Sequence, residues 1–135
     1  VRVKRHCENA LAVAKYLEQN DKVTYVNYCG LENDKYHALA EKYLPNGSCG
    51  VVSFGVKGGR KAAEEFMKHL KLGSIETHVA DARTCCLHPA SATHRQMNDE
   101  ELTACGVYPD LVRYSCGLED AEDLIADLEQ AFAQI

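Results

Sequence analysis

Apolar residues recur at intervals of three and four over the first twenty positions. Cys7, Ala10, Leu11, Ala14 and Leu17 form one stripe, the spacing of a helix with a single buried face. Arg2, Lys4, Arg5, Lys15 and Glu18 fill much of the remainder, and Gln19-Asn20-Asp21 ends it. Val23 to Tyr28 is β-branched and aromatic, which predicts a strand. After a loop over 29–33, Asp34 can cap a short helix through Tyr43, with Tyr36, Leu39, Ala40 and Tyr43 on one side. Pro45-Asn46-Gly47 is turn chemistry. Residues 49–56 (CGVVSFGV) predict a second strand, buried on at least one face. Its two internal glycines imply close approach of another backbone or a bulge.

Lys57-Gly58-Gly59 breaks that strand. A third helix is predicted from Arg60 to Leu72, with Ala63, Phe66, Met67 and Leu70 on its apolar side. A short extended piece at 75–79 follows, then a strand at 82–88. Pro89 to Met97 reads as a polar loop. Asn98 opens a short helix, and Glu101 three residues on completes a capping-box pattern that Gly106 ends. LVRYSC, residues 111–116, is the last strand. A helix from about Asp120 to Ala133 closes the chain, with Asp120, Glu122 and Asp123 at its positive end. Leu124, Ile125, Leu128 and Phe132 form its buried face. The late strands follow one another without a long helix between them. This favours an α+β fold, a small, mostly antiparallel sheet with helices on one face. Such a sheet leaves its other face open to water or to a partner.

The 135 residues amount to one domain. With 46% hydrophobic and 26% charged residues the composition is that of an ordinary soluble domain. The net charge of -5 argues against a nucleic-acid partner. No apolar run approaches the roughly 20 residues that cross a bilayer, and no secretory leader opens the chain. A start at Val1 raises the expectation of a piece from a longer protein. The seven cysteines, an odd number with no CxxC spacing, read as reduced thiols packing as small hydrophobes. Cys86, His88 and His94 are spaced like metal ligands, but Cys85 and Cys86 point to opposite faces of a strand, and no metal site is expected.

Three places invite chemistry. Lys57-Gly58-Gly59 lacks phosphate-loop spacing and reads as a strand-to-helix turn. The loop holding His88, Ser91, Thr93, His94 and Arg95 is as consistent with a hydrogen-bonded surface turn as with a functional loop. Arg113 is the sharpest residue. Alternation puts Leu111, Arg113 and Ser115 on one face and Val112, Tyr114 and Cys116 on the other. A guanidinium in mid-strand is paired or exposed. It suits a carboxylate through two parallel hydrogen bonds. Charge logic alone favours a structural ion pair with one of the twenty acidic residues.

Two runs carry a resemblance: THVADARTCCLHPASATHRQM (77–97) and DLVRYSCGLEDAEDLIADLEQA (110–131). They resemble the carboxy-terminal domain of the pyridoxal-phosphate-dependent enzymes of cysteine and methionine metabolism, the family of the cystathionine synthases and lyases. RHCENALAVAKYLE, YHALAEKYLPNG and VVSFGVKGG are similar as well, so the likeness spans nearly the whole chain. The THVADARTC run narrows it toward the O-acetylhomoserine sulfhydrylase branch.

The resemblance implies the small domain of an aspartate-aminotransferase-like (fold type I) enzyme, entered by an interdomain helix at 1–20. It implies a pyridoxal 5'-phosphate site on a large domain outside residues 1–135, with no catalytic or cofactor-binding residue within them. The reaction implied for the longer protein is replacement at the γ-carbon of O-acetyl-L-homoserine, by sulfide to give L-homocysteine or by methanethiol to give methionine. A homotetrameric cytoplasmic enzyme is implied, and the isolated chain should be inactive. Arg113 matches the family arginine that holds the substrate α-carboxylate. His78 and the backbone of Val79 match the loop beside that carboxylate. Relatives often carry Ser or Asn at the position of His78. A cystathionine γ-synthase or γ-lyase piece, or a stand-alone non-catalytic α+β interaction module, are the alternatives.

Overall fold

The computed structural model describes residues 1–135. Helix α1 runs from Arg2 to Glu18, but its buried face is turned from the predicted stripe. His6, Asn9, Ala10, Val13, Ala14 and Leu17 are inside, while Cys7 and Leu11 are half-buried. Two polar residues cause this. His6 Nδ1 meets the Cys116 carbonyl at 2.5 Å. Asn9 donates to the carbonyls of Gly117 and Glu119 at 3.0 and 2.8 Å. Buried polar groups are tolerated where carbonyls receive them, and here they draw the helix onto the turn that follows the last strand.

Five strands build one sheet: β1 (Val23–Asn27), β2 (Val51–Val56), β3 (Ser74–Ile75), β4 (Cys85–Leu87) and β5 (Leu111–Ser115). Their order is β1-β2-β5-β4-β3. The pairs β1/β2, β2/β5 and β4/β5 are antiparallel, and β3/β4 is parallel. The mostly antiparallel sheet of the sequence reading is thus present. Val52, Phe54, Val56, Val112, Tyr114 and Cys86 face a core shared with α1, α3 (Gly59–His69) and α5 (Ala121–Phe132). Phe54, Phe66 and Phe132 form its aromatic centre, the last two with ring centroids 4.4 Å apart.

Gly55 explains one of the predicted glycines. The register of β1 against β2 slips between Val23 and Tyr25, a bulge that lets Thr24 and Tyr25 crowd the glycine. A Cβ there would fall 2.3 Å from both Thr24 Oγ1 and Tyr25 Cε1. At the β2–α3 turn, Gly58 and Gly59 take φ of 106° and 75°, the left-handed region glycine enters at little cost.

Three expectations are corrected. The strand predicted at 82–88 shrinks to 85–87 because neighbours outside the sheet take its backbone groups. Leu118 N–H binds the Ala82 carbonyl, and Thr84 N–H binds the Glu119 carboxylate at 2.7 Å. The extended piece at 75–79 pairs only at Ser74–Ile75. Helix α2 (His37–Tyr43) buries Ala40 alone, and Tyr36, Leu39 and Tyr43 stay exposed. It lies in the β1–β2 connection, off the core face. Asp34 caps the turn ahead of it, accepting from Tyr36 N–H at 2.8 Å. By contrast, α4 (Asp99–Ala104) opens on the expected Asn98–Glu101 capping box. It ends as a Schellman turn, with Gly106 N–H on the Thr103 carbonyl and Val107 N–H on that of Leu102.

Candidate functional site

The register aligns Asn27, Ser53, Arg113 and Leu87 across four strands on the face away from the helices. Arg113 stands near the middle of this open face, as alternation required. Its Nη2 donates to the carbonyls of Thr77 and His78 at 2.8 and 3.2 Å. Its Nε is buried with no acceptor. None of the chain's ion pairs includes it; the other arginines that pair with carboxylates are Arg5, Arg60 and Arg83. The structural ion pair favoured by charge logic is therefore absent, and the guanidinium keeps donors to spare. An unpartnered buried donor on a charged group is costly, and a carboxylate offering two parallel acceptors meets that need.

The loop over Arg113 is held from several sides. Ala80 N–H donates to Ser115 Oγ at 3.1 Å, and Arg2 Nη2 donates to the Ala80 carbonyl at 2.9 Å. Glu76 receives His78 Nδ1 at 2.9 Å and Arg83 Nη2 at 2.9 Å. Asp81 accepts the Arg83 N–H at 3.0 Å, which holds its carboxyl below the usual range. Below the loop, Glu119 takes Thr84 N–H and Oγ1, and Thr84 Oγ1 takes Gly117 N–H at 2.8 Å. Gly117 has no room for a side chain, since a Cβ would lie 2.5 Å from the Ala82 carbonyl oxygen.

The structure thus brings Arg113 and His78 together, but through the His78 carbonyl. The imidazole is exposed and turned to Glu76. Val79 leaves its side chain in solvent, and its N–H makes no hydrogen bond within the chain. Two residues that sequence reasoning missed, Ser115 and Arg2, complete the loop's anchorage. For Ser115 a signal existed, because alternation already put it on the face of Arg113.

The His88 loop resolves toward structure. His88 is buried, with Nδ1 on Ser91 Oγ at 2.8 Å and Nε2 on the Pro109 carbonyl at 2.7 Å. Both ring nitrogens are occupied in tying this loop to the segment before β5. All seven cysteines are free thiols. Burial pushes the thiols of Cys86 and Cys116 up, Cys86 well above its ordinary value. Cys85 and Cys86 are both buried, yet only Cys86 joins the main core. On the open face beyond Asn27 lies a groove of about 930 Å³ bordered by Tyr25, Tyr108 and Asp110. Burial first, and then the Asp110 carboxylate, raises the Tyr25 phenol.

The open sheet face thus carries one arginine without an acidic partner under a pinned loop. The family model described as Cys/Met metabolism PLP-dependent enzyme matches residues 1–133, and the chain belongs to that family. It is 47% identical to homocysteine synthase of Schizosaccharomyces pombe over 97% of this chain and 30% of that protein. It is 45% identical to O-acetyl-L-homoserine sulfhydrylase 1 of Thermus thermophilus over 98% of this chain and 32% of that one. A crystal structure of a putative O-acetylhomoserine (thiol)-lyase from Campylobacter jejuni superposes with a TM-score of 0.90 at 36% identity. That match covers 98% of this chain and 31% of the other, which carries N'-pyridoxyl-lysine-5'-monophosphate. The chain thus spans about a third of the length of these relatives.

The family implies pyridoxal 5'-phosphate, and the open face tests whether these residues suit it. The spare donors are those of the Arg113 guanidinium, whose Nη2 is already engaged by two carbonyls, and the Val79 N–H. That donor set does not make a cup for a phosphate.

Proposed function

We propose that this chain forms the substrate-carboxylate side of the active site of an O-acetylhomoserine sulfhydrylase, with the cofactor site on a large domain outside residues 1–135. The observation that carries the reading is Arg113, a mid-sheet guanidinium with a buried, acceptorless Nε and no acidic partner. The likeness to homocysteine synthase and to O-acetyl-L-homoserine sulfhydrylase supports the choice of branch. In this reading Arg113 binds the α-carboxylate of O-acetyl-L-homoserine through the guanidinium donors that the chain leaves free, and the free Val79 N–H adds a further one. Nη2 stays on the Thr77 and His78 carbonyls and fixes the plane of the fork. Holding one end of the substrate orients the acetyl-bearing γ-carbon for replacement by sulfide or methanethiol. Pyridoxal 5'-phosphate, when bound, supplies the electron sink that lets acetate leave. Helix α1 enters from the large domain, and the enzyme is a cytoplasmic homotetramer. The isolated chain is inactive.

The test is kinetic. In the complete enzyme, Arg113→Ala should lower kcat/KM for O-acetyl-L-homoserine by about 10²- to 10⁴-fold, because a charged group of the substrate loses its partner. Arg113→Lys should restore only part, since an ammonium cannot donate two parallel bonds. A near-normal Arg113→Ala enzyme would refute the assignment. A γ-lyase is the second reading, since the chain is also 41% identical to L-methionine gamma-lyase of Fusobacterium nucleatum. Homocysteine from O-acetyl-L-homoserine and sulfide favours the first reading, and α-ketobutyrate from methionine the second.

A further inference from the structure

The loop over Arg113 has an anchor that lies outside any substrate contact. We propose that Ser115 is a positioning residue: it holds the 77–80 loop in the shape that aims Arg113. The proposal rests on the reading of Arg113 as the carboxylate anchor.

Ser115 is buried at 2% exposure and lies two residues from Arg113 on the same face of β5. One strand therefore carries both the gripping side chain and the tether of the loop that it grips. The tether is Ser115 Oγ, which accepts Ala80 N–H at 3.1 Å. Ala80 has a φ of 57°, a left-handed conformation that a residue with a Cβ adopts at a cost and keeps only where its surroundings impose it. Its carbonyl is tied to Arg2, but that bond is at the surface, where water competes for both partners. Ser115 supplies the sheltered bond.

The turn at Ala80 sets the course of the preceding peptides, and their carbonyls at Thr77 and His78 occupy Arg113 Nη2. Without the Ser115 hydroxyl, Ala80 relaxes toward an ordinary conformation and those carbonyls move. The guanidinium then loses the two acceptors that fix its plane, and its free donors no longer face the carboxylate. The loss falls on the carboxylate and spares the rest of the substrate. A role in stability alone would make no such distinction.

Equilibrium binding to the complete holoenzyme separates the two, using a pair of probes. L-Norleucine carries the α-carboxylate and no leaving group; n-pentylamine is the same chain without the carboxylate. Ser115→Ala should weaken L-norleucine by about tenfold, the worth of one good hydrogen bond, and leave n-pentylamine within about twofold. Ser115→Cys keeps the volume and weakens the acceptor, so it shows the same selective loss if Ser115→Ala fails to fold. Equal losses for both probes, or none for either, would overturn the positioning role. Arg113→Ala is measured alongside. A selective loss there with none at Ser115 sinks only this inference, whereas no loss at Arg113→Ala sinks the carboxylate reading as well.

Discussion

At the scale of single residues, the chain spends its buried polar groups on loops. Asp127 is the clearest case. It lies on α5 at 6% exposure, with its carboxylate beneath the turn that joins α3 to β3. It accepts the N–H groups of Lys71, Leu72 and Gly73 at 2.8, 2.9 and 2.9 Å. Three amides at the end of a helix-to-strand connection would otherwise lack partners, and each orphaned buried group costs about 1–3 kcal/mol. Asp127→Ala should therefore destabilise the chain by about 3 kcal/mol, and Asp127→Asn by less, since one acceptor oxygen survives. Denaturant unfolding of the variants measures both. A loss below about 1 kcal/mol for Asp127→Ala would mean that water satisfies these amides. Hydropathy periodicity could not reveal this residue, because an acidic side chain in helix α5 reads as a solvated position until the partner loop is known.

At the scale of elements, the sheet shows what periodicity can and cannot convey. Strand β5 was readable down to its faces, because alternation is a local property and LVRYS alternates cleanly. The Asn98–Glu101 box was readable for the same reason, being closed within four residues. The lengths of β3 and β4 were not, since Arg113, Glu119 and Leu118 take their backbone groups from 30 or more residues away. The exposed side of α2 was also hidden, since an apolar stripe does not say whether anything packs against it. Arg113 stood out as a charge in an apolar strand, but Ser115 was an ordinary small polar residue until Ala80 came to rest on it. Gly55 falls between these cases: its presence predicted a bulge or close approach, and the register slip at Thr24 supplied the former. Because a Cβ would overlap Thr24 Oγ1, Tyr25 Cε1 and Asp110 Oδ2, Gly55→Ala must push β1 outward. Overpacking of this kind costs about 1–3 kcal/mol. Amide exchange should quicken in β1 while α5 stays protected. Uniform protection after the substitution would show that the bulge adapts freely.

At the scale of the whole molecule, the titrating groups are lopsided. Burial raises the thiols of Cys49, Cys85, Cys86 and Cys116 and the phenols of Tyr16, Tyr25, Tyr28 and Tyr114. Desolvation comes first among the causes in every case, since an anion is disfavoured away from water. On the acid side, the lowered carboxyls are Glu65 and Asp81, both at the surface, where screening leaves little effect. For a thiol whose folded value lies above its unfolded one, the neutral form is bound in both states at low pH and stability is unaffected by pH. Above the ordinary value of 9.0 the unfolded chain releases its proton and the folded chain keeps it, so stability falls as pH rises. Each such group contributes a slope of up to about 1.4 kcal/mol per pH unit. Cys86 and Cys116, deepest in the core, dominate from pH 9, and Tyr114 joins them above pH 10. Urea unfolding of the chain should therefore show a free energy steady from pH 6 to 8 that drops steeply from pH 9 to 10.5. Cys86→Ala costs stability at every pH, by the lost packing, but should also make the alkaline decline shallower by one group's share. A decline unchanged by that substitution would mean that the core thiols ionise in the folded chain, contrary to the burial that places them there.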